Sequence, residues 1–583
     1  LGKYKAERGK DVRKKGAGCR RKPKVNKFIE MIKSLNDPDG YAVKEFDEYD
    51  CNYYLQTNSL MAKECLKVRG EWALRTLLCS EAEGLGLGPF TNWKTVKPLF
   101  GDGSILFMNG DRHEKFRSIL REYTSGEALH NSAPVIAAAF DERLRRWADT
   151  SASTNDFINV AEECRKLVWG LNCRWVLGTV DESLTEGLRK EMKEFSNGLL
   201  SLPVKMGGFS GFSKALKARK RLHELLQEEI VQRQKPNDNE KAESKQNVIF
   251  GTNDELPRNF LNHVLKDGEM KGTCLLELLV FALWVSYDTS TALLTHLIYF
   301  ASQELDVVEK VASEAVEKFG LGGLSEILKN REASYIGDTC RRNLPYTHAS
   351  IMEMMRVRNI LPAVGRQTSC PFQFKTEDGN QIKLPAGTLV SIQYGISMKS
   401  HQYFKDSWSK IEPERFMFPR CEDKDNASYC VFGFGKRSCV GKPLALLEAR
   451  TLFTLLSQYF IELRNEKLHW TLNPARNTDR LMVKIFPRNK RKPTDMSQVF
   501  ETNSVASQEL DHWLDQSAND ASTHGPPKRG SSICLSNYDH NTIQPSGSVS
   551  LISQSEGPNW FEEDLSETKS DFSAISHYYS PEL

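Results

Sequence analysis

The stretch Phe432-Gly433-Phe434-Gly435-Lys436-Arg437-Ser438-Cys439-Val440-Gly441 sets one cysteine among three glycines and two cations. These are the surroundings a metal-binding thiolate needs. Gly435 and Gly441 have no Cβ, so the backbone there can turn tightly and let a large flat ligand come close. Pro443 suits the first turn of a helix, and an apolar run from Leu444 to Leu456 follows it. The positive end of that helix points at Cys439 and is expected to lower its thiol pKa. Arg437 is placed to pair with a carboxylate on the ligand. The plain alternative is a buried cysteine in a glycine-rich turn.

A second group lies inside an apolar segment. Residues Lys271 to Ser302 read as one long helix of about 45 Å at 1.5 Å per residue. It is hydrophobic all round from Leu275 to Val285, so it belongs in a large core. Its middle reads Val285-Ser286-Tyr287-Asp288-Thr289-Ser290. Polar groups buried together are destabilising unless they are paired or functional. The alternative is an ordinary Ser/Thr-rich helix interior, in which Ser286 bonds back to a helical carbonyl.

Two charge pairs share helical faces. His113 and Arg117 are four apart on a helix expected from about His113 to Tyr123. Glu353 and Arg356 are three apart on a helix from Tyr346 to Arg356. Such pairs usually mark a solvated face, yet Met352, Met354 and Met355 crowd this one with apolar side chains. Downstream, Pro413-Glu414-Arg415-Phe416 supplies a second arginine.

The elements that must position these groups follow in order. A basic arm, 1–45, carries Arg13, Lys14, Lys15, Arg20, Arg21 and Lys22 and is expected to be partly disordered or to lie against anionic headgroups. Glu71 to Cys79 reads as a short helix, and Leu202 to Phe209 as a turn-rich loop leading into an amphipathic helix, Phe212 to Arg233. Residues 235–255 read as a surface loop. Turn signals at Asp378-Gly379-Asn380 and Pro385-Ala386-Gly387 divide Phe372 to Tyr394 into short antiparallel strands. From 489 to 583 Ser, Asp, Asn and Pro dominate, a composition too polar to offset its ordering entropy. Its Asn559 to Leu565 patch is acidic and aromatic, which suits docking on a partner.

Composition bounds the function. The chain has 583 residues and a formal net charge of +3, so overall charge implies no nucleic-acid partner. Thirteen cysteines include no Cys-x-x-Cys pair, against a zinc site or a disulfide framework and in favour of a reducing, cytosolic face. No apolar run is long enough to span a bilayer. The chain opens on Leu1, which is the reading expected of a fragment or a processed form with any anchor upstream.

The cysteine stretch resembles the haem-ligand loop of the cytochrome P-450 family, Phe-x-x-Gly-x-Arg-x-Cys-x-Gly. Phe432, Gly435, Arg437, Cys439 and Gly441 match each fixed position. The segment 285–290 is similar to the family's oxygen-activating helix, with Asp288 and Thr289 as the acid and alcohol that relay protons to bound oxygen. Val285-Ser286 departs from the small-residue pair that loosens this helix. The resemblance also implies that Cys439 is the axial ligand of haem b, iron protoporphyrin IX. It makes His113, Arg117 and Arg366 contacts to the haem propionates, and Glu353, Arg356 and Arg415 a buried structural triad. Leu361 to Val364 would line the cavity above the haem.

It further implies one mainly α catalytic domain with a small β region, 46–488, of the cytochrome P-450 fold. The expected reaction is insertion of one atom of dioxygen into an apolar small-molecule substrate, a sterol, retinoid or other lipid. NADPH and flavin enter only through a separate flavoprotein reductase (or a ferredoxin-type donor) docking near Lys436 and Lys442. The protein is expected to be a monomer at a membrane surface, the cytosolic face of the endoplasmic reticulum if an anchor precedes Leu1 and the cytoplasm otherwise. Two other readings stay open: a haem-thiolate isomerase or dehydratase acting on a lipid peroxide without a reductase, and a non-catalytic haem-binding or tail-mediated interaction protein.

Overall fold

The computed structural model describes residues 21–22, 38–49, 52–57, 64–78, 86–89, 96–178, 181–199, 201, 210–234, 259–320, 343–376, 379–399, 404, 408–423, 429–464, 468, 470–472 and 475–488. The loops expected at 202–209 and 235–255, the tail from 489 and most of the basic arm lie outside them. Within that arm a short strand, Arg21–Lys22, and a helix, Pro38–Tyr49, are described, and Phe46 of the helix is fully buried.

Helices make up most of the described chain. The central one, Gly272–Gln303, is 32 residues long and buried on nearly every side. It is the one helix among the described residues long and apolar enough to cross a membrane, but 72% of its most apolar window is buried in protein. That makes it a core helix. It packs against Val160–Leu177 and Lys442–Leu456. Around its first half, Phe100 sets its ring against Phe195 at 5.0 Å and Trp284 at 4.8 Å, within an apolar cluster that includes Leu222, Leu226 and Phe281.

Local chemistry fixes the ends of these helices. Asn159 caps Val160–Leu177 by accepting from Glu162 N–H, and Gly178 closes it in the left-handed region at φ 67°. Helix Gly110–Thr124 starts three residues before the expected His113. Its N-cap residue, Asn109, makes no capping bond, because its side-chain oxygen accepts from Arg437 at 2.8 Å instead.

The β content is small. Strands β1 (Arg21–Lys22), β2 (Tyr53–Thr57), β3 (Glu64–Val68), β4 (Leu87–Pro89), β5 (Ile158–Asn159) and β6 (Val364–Thr368) precede the hairpin of β7 (Phe372–Lys375) and β8 (Gln381–Leu384). Then come β9 (Leu389–Ile392), β10 (Tyr459–Leu463), β11 (Thr471–Leu472), β12 (Arg476–Asn477) and β13 (Met482–Pro487). The largest sheet runs β1-β2-β3-β9-β6-β4 and the next β10-β13-β5. The β7–β8 pair is antiparallel as expected, its inward residues Phe372, Phe374, Ile382 and Leu384 alternating with exposed ones. By contrast β9 leaves that hairpin for the larger sheet, where it pairs parallel with β3 and antiparallel with β6.

Candidate active site around Cys439

The cysteine loop is wound by its own backbone. Cys439 N–H donates to Phe432 O at 2.7 Å and Ser438 N–H to Gly435 O at 3.0 Å. Gly433 and Gly435 take φ of 76° and 72°, a region costly for any side chain with a Cβ. Pro443 then opens helix Lys442–Leu456. The backbone N–H groups of Gly441 and Lys442, at the positive end of that helix, lie near enough to the Cys439 sulfur to favour its ionised form. Gly441 lies so close that a Cβ there would sit 3.9 Å from Sγ.

The thiol is nonetheless not acidified, contrary to the helix-end argument from sequence. Burial raises the Cys439 pKa, and the neighbouring N–H groups with the Arg117 and Lys442 charges only moderate that rise. The Cys439 side chain is accessible along one wall of the site. Protein packed around its other sides supplies the desolvation.

A cluster of positive charge gathers beside the loop. Arg117 donates to Ser438 Oγ at 3.2 Å, and Arg437 to Met108 O at 2.7 Å as well as to Asn109. These bonds tie helix Gly110–Thr124 to the cysteine loop. Arg366 comes from β6, where it is buried and donates to Gly365 O at 3.1 Å. Burial first, then Arg437, Arg117, Arg366 and Lys436 push the His113 pKa down to about 4. Thus His113, Arg117, Arg366, Phe432, Gly435, Arg437 and Gly441 are brought around Cys439.

The central helix presents a narrow open stripe at its midpoint. Val285 is 36% exposed, and Ser286 and Thr289 are partly accessible, while the turns on both sides are buried. Leu361 adds another apolar surface, 37% exposed. Thr289 donates its hydroxyl to Val285 O at 2.7 Å. Ser286, expected to bond back to a carbonyl, does not: among the described residues its buried oxygen has no hydrogen-bond partner. The back-bond has passed to Thr289, four residues from its acceptor.

Asp288 points away from the stripe. Its carboxylate accepts from Ser196 Oγ, on helix Glu182–Asn197, and from Trp284 Nε1 at 3.0 Å. Burial raises its pKa to about 6, opposed by Ser196, the Arg165 charge and Trp284. Asp288 and Thr289 are therefore neighbours in sequence on different flanks of the helix. Sequence reasoning had no means to find Ser196, which comes from another element.

Behind the loop stands the triad. Arg356 grips Glu353 through two bonds of 2.8 Å, and Arg415 Nε lies 3.0 Å from the same carboxylate. The remaining Arg356 donors reach Met398 O, Trp408 O and Lys410 O. All three side chains are 0% exposed. One buried acid went unweighed from sequence. Glu448, on the cysteine-side helix, is close enough to the Ser290 hydroxyl to feel it, but neither carboxyl oxygen makes a bond of regular geometry among the described residues. Burial pushes its pKa up to about 7. The signal was a lone glutamate inside the apolar run from Leu444 to Leu456.

Comparison with known proteins follows this geometry. The family model described as Cytochrome P450 matches residues 88–474. Cytochrome P450 26A1 of Danio rerio is 24% identical over 450 residues, which cover 76% of this chain and 82% of that protein. Cytochrome P450 26B1 of Bos taurus is 28% identical over 435 residues, covering 73% and 79%. Among solved structures, "Retinoic acid bound cyanobacterial CYP120A1" superposes with a TM-score of 0.64 at 20% identity, covering 79% of this chain and 96% of that one. At that identity the likeness is one of fold.

Proposed function

This chain belongs to the cytochrome P450 family, and from that premise we propose that the molecule it oxidises is a retinoid or a similarly elongated apolar lipid. It is a haem-thiolate monooxygenase: one atom of dioxygen enters an apolar substrate, with electrons supplied by a separate protein. Its cofactor is haem b. The residues present fit that group. A sulfur beside the N–H groups of Gly441 and Lys442 suits a thiolate that binds iron, and the cations around His113 suit two carboxylates. The observations that carry the reading are a cysteine sulfur beside the N-terminus of helix Lys442–Leu456 and an accessible apolar stripe on the central helix.

When bound, haem b supplies oxygen activation, and a thiolate ligand raises electron density at the iron to favour O–O cleavage. The chain supplies the rest. Cys439 gives the thiolate, and the N–H groups of Gly441 and Lys442 disperse its charge. His113, Arg117, Arg366 and Arg437 orient the flat ligand through its carboxylates. Thr289 Oγ1 and the Asp288 carboxyl hold protons on two flanks of the helix, Asp288 reaching the cavity only by leaving Ser196 and Trp284. Val285 and Leu361 give the substrate apolar walls. Glu353, Arg356 and Arg415 hold the cysteine loop from behind.

The retinoid reading is supported by a fold neighbour solved with retinoic acid bound. We further assign residues 46–488 as the catalytic unit, a single copy at the cytosolic face of the endoplasmic reticulum membrane. An NADPH-dependent flavoprotein reductase, docking near exposed Lys436, supplies the electrons. The reduced protein with carbon monoxide is expected to give the strongly red-shifted Soret band of thiolate ligation, lost in Cys439→Ala. An ordinary haem band would remove the reading. Titration with retinoic acid is expected to shift the ferric Soret band to shorter wavelength; a sterol doing so alone would replace the substrate assignment. Product formation with a ferredoxin donor but not with the flavoprotein would reverse the partner.

A further inference from the structure

Three polar side chains at the midpoint of the central helix could serve the cavity, and their bonds distinguish them. Thr289 has one hydroxyl proton, and it is already engaged with Val285 O at 2.7 Å. What Thr289 offers the cavity is therefore its lone pairs. Asp288 is turned toward Ser196 and Trp284. Ser286 alone of the three has a hydroxyl with no partner among the described residues.

Angle places that hydroxyl. At about 100° per residue, Thr289 lies roughly 40° from Val285 around the axis and Ser286 roughly 100° in the same sense. Asp288 falls about 60° to the other side. Ser290 follows Ser286 by a further 40° or so, and it is the residue that approaches Glu448 on the helix beginning at Lys442. Ser286 thus sits between the open stripe and the flank that faces the cysteine-bearing element. A buried hydroxyl without a partner is destabilising, so a ligand atom that accepts its proton is stabilised in turn.

We propose that Ser286 is the hydrogen-bond donor of this helix face: its hydroxyl, closed off and unpartnered as it stands, would turn about χ1 to give its proton to the outer atom of a diatomic ligand on the haem that Cys439 would hold, while Thr289 acts there as an acceptor. The inference rests on the haem-thiolate reading. It gives a positioning task to the residue that departs from the family's small-residue pair. In turnover the diatomic is dioxygen, and the bond orients it before any proton is transferred.

The test is infrared spectroscopy of the ferrous carbon monoxide complex of the haem-loaded full chain, in water and in deuterium oxide. A donor to the ligand oxygen lowers the C–O stretch and makes it sensitive to deuterium. In Ser286→Gly and Ser286→Ala the stretch should rise by several wavenumbers and lose its deuterium shift, and Ser286→Thr should restore both. Thr289→Val should retain the deuterium shift. A shift that survives Ser286→Gly and Ser286→Ala but vanishes in Thr289→Val would hand the donor role to Thr289 and overturn the proposal. The Soret position of the same samples separates the two levels: without thiolate ligation the function reading falls and this inference with it, whereas a thiolate Soret with an unchanged stretch in the Ser286 variants sinks the inference alone.

Discussion

The two faces of the cysteine site are built on opposite rules. Behind the loop, Glu353, Arg356 and Arg415 are fully buried, and every Arg356 donor has an acceptor. On the central helix, Ser286 has an unmet hydroxyl, and Asp288 is an acid buried to a pKa of about 6. In the first arrangement each buried charge faces an opposite one. The second keeps protons close to release, at the expense of stability. A buried ionic network is tolerable only when complete, and a reactive wall is useful only when incomplete.

Breaking the complete side should have the largest effect. Arg356→Ala leaves Glu353 buried beside one arginine instead of two, and loss of one partner of a buried pair is destabilising by about 3–5 kcal/mol. Urea unfolding should show a large fall in midpoint; a near-neutral result would mean that the triad adds nothing net to folding.

Glu448 extends the comparison to an acid on neither face. Its pKa is near 4.5 when unfolded and about 7 when folded, so the folded state binds the extra proton. Below about pH 4.5 the residue is protonated in both states and neutral toward stability. As pH rises from about 4.5 to about 7 the folded protein loses on the order of 3 kcal/mol, and above that the loss is constant. Glu448→Gln should flatten this slope between pH 5 and 8. An identical slope in the variant would show that the acid is solvated.

Smaller shifts sharpen the reactive side. Ser196→Ala removes a bond that favours ionised Asp288, so the inflection near pH 6 in the coupling of electrons to product should move upward. No movement would detach Asp288 from proton handling. The smallest change expected is at His113, held near 4 by burial and four cations. Haem carboxylates should neutralise those cations and raise its pKa, measurable by NMR before and after loading. A value unaffected by loading would place the carboxylates elsewhere.

Much of this was legible wherever a signal is local. Glycines at 433, 435 and 441 around one cysteine, the apolar run of the central helix, and Glu353 with Arg356 among methionines depend on residues close in sequence. The methionines pointed to burial of the Glu353–Arg356 pair, and the resemblance to the family added Arg415 to it. What escaped depends on distance or on competition. Ser196 meets Asp288 across 92 positions, which periodicity cannot encode. The Cys439 thiol follows desolvation, a property of the whole surround, in place of the helix end beside it. Ser286 and Thr289 both had a carbonyl within reach, and only coordinates reveal that Thr289 formed the back-bond.

The parallel pairing of β3 with β9 sets a schedule for the newborn chain. Gly70 N–H donates to Ser397 Oγ, 327 positions further on, and Cys65, Leu66 and Val68 of β3, buried in the finished fold, pair there with β9. At a synthesis rate of about 5–20 residues per second, β3 emerges from the ribosome some 15–65 seconds before its partner exists. Through that interval the β2–β3 hairpin carries an apolar face and one open edge, a template for mispairing with other chains. A long wait with an uncovered edge is the cost of joining strands so far apart in the chain.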